Sequence, residues 1–168
     1  MTPADLTVHL TDHVVRIVVE GSSEFTLPIG PVALFDGPLE RSELPSPIQL
    51  TNALGLVQDH LDDAIIADPS ITSASSVLAV GVHAVELARV EIGARDVPDA
   101  YQLQRSDADE VFRTLALEPA IERRHNPGLD PSHVDSIIGT CCVILGVMRR
   151  LDLSQIGIAG PTEAAKMP

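Results

Sequence analysis

Residues Glu122–Leu151 read ERRHNPGLDPSHVDSIIGTCCVILGVMRRL. A charged segment runs into a turn at Asn126-Pro127-Gly128. Asp130-Pro131 then gives a capped start, followed by a long apolar helix. Val134, Ile137, Ile138, Cys141, Ile144, Leu145 and Met148 fall at helical spacing, which predicts a final long helix beginning near Pro131. Arg149 and Arg150 lie in its last turn, where positive charge complements the helix dipole. Cys141 and Cys142 are neighbours on this helix, and adjacent helical cysteines point their Cβ atoms apart. The pair reads as two buried small hydrophobes.

Downstream, Gln155–Ala159 predicts a last strand, and the residues from Gly160 onward read as a loose tail. The expected division is a single domain over residues 1–160 and a tail over 161–168. Upstream, the first third reads as β: Leu6–Leu10, the β-branched run Val14–Val19, and Phe25–Ile29. Glu20-Gly21-Ser22-Ser23 supplies a hairpin turn and Thr11-Asp12-His13 a short polar connection, so an antiparallel meander is expected. Ser46 suits a helix N-cap and Pro47 the first helical position. Leu50, Leu54, Val57, Leu61 and Ile65 continue that helix to Asp68-Pro69. Ser76–Val80 is a continuous apolar run, the pattern of a strand buried on both faces. Gly81 turns the chain into a helix over Val82–Ile92. Ser106–Glu110 predicts another capped, acidic helix start, with helical pattern to Arg124 and a break near Glu118-Pro119.

Composition narrows the function classes. The chain has 168 residues, 45% hydrophobic, and a mean hydropathy of +0.20, enough for a full core and unlike a disordered protein. Aromatics are 2%, so the core is aliphatic. The formal net charge is −13 and Lys166 is the only lysine. Such a surface repels polyanions, which argues against nucleic-acid binding and against polyphosphate. The N-terminal sequence lacks the basic and apolar regions of a signal peptide, and no segment approaches the roughly 20 apolar residues of a membrane span. A soluble, cytoplasmic protein without membrane partners is expected.

Three stretches together resemble the C-terminal half of the catalytic module of exopolyphosphatases and guanosine pentaphosphate phosphatases. Thr26-Leu27-Pro28-Ile29-Gly30-Pro31-Val32-Ala33-Leu34 is similar to that family's Leu-Pro-Leu-Gly-Ala-Val-Arg-Leu segment. Pro45-Ser46-Pro47 matches the start of its next helix. ERRHNPGLDP, followed by Asp135, Ile137 and Gly139, resembles its Pro-Gly-Leu-x-Pro and Arg-Ala-Asp-x-Ile motifs. The likeness covers roughly residues 4 to 159. It implies an α/β fold: a ribonuclease-H-like half-unit of the actin-like ATPase superfamily, with a mixed five-stranded sheet and helices on both faces.

The departures bear on activity. The family's glycine-rich phosphate loop between the first two strands corresponds here to His9-Leu10-Thr11-Asp12-His13-Val14, which has no glycine. The carboxylate that follows it in the family falls near Arg16. The second glycine-rich turn is reduced to Gly81-Val82-His83-Ala84. The family's catalytic glutamate belongs to the half outside the resemblance, and its closing Gly-Leu-Arg-Glu/Asp-Gly run is replaced by Gly160-Pro161-Thr162-Glu163.

Thr11, Asp12, His13, Gly81 and His83 are therefore expected as phosphate-loop remnants, with no catalytic residues and no metal site. Asp12 reads as a turn former, a metal carboxylate being the other reading. His9 and His13 are four apart, but in β and turn sequence that spacing does not converge on a metal. His83, His125 and His133 are separated in sequence, and His133 is expected to make a polar contact at a helix start. Arg123-Arg124 and Arg149-Arg150 are expected as solvated helix ends.

The expected function is an inactive exopolyphosphatase-like domain acting through protein interaction or regulation, as a homodimer or in complex with another chain, without cofactor. The alternative is a phosphohydrolase working with Mg²⁺ as half of a split enzyme or through a relocated site. A third reading keeps a nucleotide-binding pocket without the chemistry.

Overall fold

The computed structural model describes residues 5–161. Its centre is one six-stranded sheet in the order β3-β2-β1-β4-β6-β5. The strands are β1 (Leu6–Leu10), β2 (Val15–Val19), β3 (Glu24–Leu27), β4 (Val77–Val80), β5 (Gln102–Gln104) and β6 (Gln155–Ala159). The first three form the expected antiparallel meander, with Leu6 opposite Val19 and Leu10 opposite Val15. On its other side β1 pairs in parallel with β4, and β4 with β6. β1 alternates buried and half-buried residues, whereas four of the five β6 residues are buried.

The helices are α1 (Pro31–Asp36), α2 (Pro47–Ala67), α3 (Val82–Ile92), α4 (Arg105–Ala116), α5 (Ala120–Arg123) and α6 (Ile137–Arg150). Helix α2 begins as its sequence predicts. The Ser46 side chain accepts from the Gln49 N–H, and the Gln49 side chain accepts from the Ser46 N–H. This reciprocal cap satisfies two otherwise orphan donors. Helix α6 is buried around nearly its whole circumference and packs against α1, α2, α3 and α4. A Cβ at Gly139 would lie 2.4 Å from the Pro31 carbonyl oxygen, so only glycine lets α6 and α1 approach this closely.

Several expectations are corrected. The sheet has six strands rather than five. β5 is only three residues, Gln-Leu-Gln, and pairs antiparallel with β6 at the sheet edge. It lacks the β-branched run that reveals a strand. Helix α1 falls in the segment read as following the third strand. Helix α4 starts at Arg105, with Gln104 at the N-cap and no side-chain cap, so Ser106 is not its cap. The final helix starts at Ile137 rather than near Pro131. Asp130 instead caps a separate 3-10 turn over Pro131–His133. The expected tail over 161–168 lies outside the described residues apart from Pro161.

Arg123 is not a solvated helix end. It is 1% exposed and donates to the carbonyls of Glu118 (2.7 Å) and Val134 (3.3 Å). Burial lowers its pKa, against the opposing pull of Asp135 and Glu118. Arg149 and Arg150 are exposed as expected, but each meets a carboxylate, Asp109 and Asp62 respectively.

Candidate functional site

Three strands of the parallel part of the sheet, β1, β4 and β6, end on the same edge. In open α/β sheets, ligand crevices form outside the carboxyl ends of such strands. A cleft of about 850 Å³ opens there. It is lined by Thr11, Asp12 and His13 after β1, by Gly81, Val82 and His83 after β4, and by Pro161 after β6. His9, Arg16 and His133 complete the polar part of its wall. All five residues expected as loop remnants are thus brought to one place, and four of the six histidines gather on a chain of net charge −13.

The β1–β2 turn is closed. Thr11 donates both its N–H and its hydroxyl to the Val14 carbonyl, each at 3.0 Å. The Asp12 carbonyl accepts from the N–H groups of Val32 and Ala33 at the start of α1, and the His13 carbonyl accepts from the Gly30 N–H. The turn therefore caps α1 with its own oxygens. An anion-binding nest needs successive N–H groups turned inward by alternating right- and left-handed residues. No residue from Thr11 to Val14 has positive φ.

Gly81 has φ +122°, and a Cβ there would lie 2.6 Å from the Leu10 carbonyl oxygen. Glycine is needed because β4 turns into α3 directly against the end of β1. The first N–H groups of α3 have no intrahelical acceptor and favour negative charge nearby. The Asp12 carboxylate lies 2.7 Å from Nε2 of the His83 side chain, and no side chain caps the helix. His83, the second residue of α3, is 5% exposed, and its Nδ1 is buried without a hydrogen-bond partner. Its ring meets that of His133 edge-on, with centroids 5.4 Å apart. His9, on β1, has its pKa lowered by burial and by the Arg16 charge, which favours the neutral imidazole.

Beneath this lies a residue the sequence did not single out. Glu86 is fully buried on α3. Its carboxylate accepts from Arg95 (2.8 Å), Arg89 (3.3 Å) and the Asp130 N–H (2.5 Å), and lies 3.7 Å from His133 Nδ1. Glu86 thus ties α3 to the Pro127–Pro131 turn and holds His133 at the cleft. The only signal was its i,i+3 spacing to Arg89 within an apolar helix. Among the described residues, no group of three His, Cys, Asp or Glu side chains is arranged to hold a metal ion.

No family model matches the chain, and no curated protein does. Solved structures do. An exopolyphosphatase-like protein superposes with a TM-score of 0.84 at 20% identity, over 94% of this chain and 56% of that one. The fold is that of half an exopolyphosphatase. A Ppx/GppA phosphatase from Aquifex aeolicus gives a TM-score of 0.78 at 13% identity, with coverage of 94% and 54%. An exopolyphosphatase from Cytophaga hutchinsonii gives 0.69 at 14%, with coverage of 94% and 53%. The chain therefore spans about half the length of these exopolyphosphatase-fold structures. Its arrangement, a meander continued by parallel strands, is that of a ribonuclease-H-like fold.

Proposed function

We propose that this chain is a non-catalytic, exopolyphosphatase-like half-module that works through contact with protein partners. The reading rests on the β1–β2 turn. Its first amide is spent on Val14, its carbonyls cap α1, and the Asp12 carboxylate is engaged by the His83 imidazole. Phosphoryl transfer requires donors and cations aimed at the phosphoryl oxygens together with a positioned nucleophile. The cleft offers Arg16 and imidazoles, and the turn from Thr11 to Val14 has no positive-φ residue to build an amide nest there.

The test is phosphate release from polyphosphate and from guanosine pentaphosphate with Mg²⁺. The expected result is no release above buffer. Release that disappears in Asp12→Asn would overturn the proposal.

A second reading is favoured by the coverage of about half of each exopolyphosphatase-fold structure. In it the chain is one half of a phosphohydrolase completed by the other half, with Mg²⁺ at the joint site. Co-purification with a candidate second half, followed by the same release assay, separates the two readings.

A further inference from the structure

His83 carries an unmet group. The residue is 5% exposed, it lines the cleft, and its Nδ1 is buried with no hydrogen-bond partner. Buried polar atoms are nearly all paired, so an orphan beside a cleft calls for a water or an ion. The tautomer is set from the other side of the ring. The Asp12 carboxylate, 2.7 Å away, accepts the Nε2 proton of His83, so the neutral ring presents a lone pair at Nδ1. A histidine whose second nitrogen donates to a carboxylate is the usual form of a metal ligand. The carboxylate fixes the tautomer and raises the basicity of the free nitrogen.

His133 repeats the arrangement. It lines the same cleft, and its Nδ1 lies 3.7 Å from the Glu86 carboxylate and 3.5 Å from the Ser132 hydroxyl, which leaves Nε2 as its second coordinating atom. The two rings meet edge-on with centroids 5.4 Å apart. Two imidazoles on one tetrahedral zinc ion, with Zn–N bonds of about 2.0–2.1 Å, hold their centroids roughly 5 Å apart.

We propose that His83 and His133 together bind one Zn²⁺ ion, through Nδ1 of the first and Nε2 of the second. Imidazole nitrogen suits zinc and its transition-metal neighbours, whereas Mg²⁺ and Ca²⁺ take oxygen ligands. The described residues bring no third His, Cys, Asp or Glu side chain to this pair, so water from the cleft fills the remaining positions. The ion joins the start of α3 to the 3-10 turn over Pro131–His133, and Asp12 acts as a positioning residue behind His83. This site goes beyond the contact-making reading given above and does not depend on it.

Calorimetric titration of the untagged, metal-stripped chain with Zn²⁺ is expected to show one site. Co²⁺ in its place should give the visible absorption of a four-coordinate ion. His83 is buried and its replacement risks the fold, so the deciding variant is His133→Gln, at a position only partly covered. It should weaken Zn²⁺ by about tenfold or more, and Asp12→Asn, which keeps both ligands, by about 10–100-fold. His125→Gln, exposed and outside the cleft, should leave the affinity unchanged. Zn²⁺ should raise the Tm of the wild type and of His125→Gln but not that of His133→Gln. No Zn²⁺ binding, binding that survives His133→Gln, or binding lost in His9→Gln/His13→Gln with His83 and His133 in place would overturn the site.

Discussion

Glu86→Gln is the sharpest test of how the cleft is held. The substitution keeps side-chain shape and removes one buried charge. In the wild type that carboxylate takes three hydrogen bonds, from Arg89, Arg95 and the Asp130 amide. An amide offers one acceptor oxygen, and its NH₂ would face an arginine donor. Removing one partner of a fully buried pair costs about 3–5 kcal/mol. Here both arginines are partly exposed and can recover water, which favours the lower end. A loss of about 3 kcal/mol lowers the Tm of a chain this size by roughly 6–12 °C. Urea unfolding at constant m-value measures the loss, and amide exchange should quicken first at Leu129–His133, the segment that Glu86 anchors. Glu20→Gln, on the exposed hairpin, is the control. A loss below about 1 kcal/mol, or exchange unchanged at Asp130, would refute the anchoring role.

Two further outcomes follow from buried and capped groups. Cys141 and Cys142 are fully buried; burial raises both thiols, that of Cys142 to about 12, so a disulfide-exchange reagent should label neither in the native protein and both after denaturation. Asp68 is held down from 3.8 to about 2, first by Ser23 and then by Ser70. A depressed carboxyl stabilises the fold above its ordinary value, and that contribution is lost as pH falls from about 4 to 2. In Ser23→Ala the acid limb of a stability–pH curve should flatten over that window.

Most of the fold was legible because burial imposes periodicity. β1, α2, α3 and β6 appear where alternation, capping and apolar spacing put them. What escaped were elements fixed by tertiary contact. β5 is three residues that become a strand only beside β6, and α1 forms where the Asp12 carbonyl supplies its first acceptor. That Thr11, Asp12, His13, Gly81 and His83 lie together was legible because each follows a strand, and parallel strands deliver their ends to one edge. Glu86 and the meeting of His83 with His133 were not legible. Glu86 pairs locally with Arg89 and Arg95, but its bond to the Asp130 amide spans 44 residues and the His83–His133 contact spans 50, and local spacing does not show that this glutamate is buried. Arg123 was misread for the same reason, since its acceptors are carbonyls that carry no sequence signature.

Helix α6 has almost no face turned to water, and it is encoded late in the chain. During synthesis β1 to β4, α1 and α2 leave the ribosome well before it, and until it arrives the surfaces meant to enclose it stand open. A nascent chain halted before residue 137 would present those greasy walls to its surroundings. Chaperone dependence should therefore peak just before this segment emerges and fall sharply once it docks.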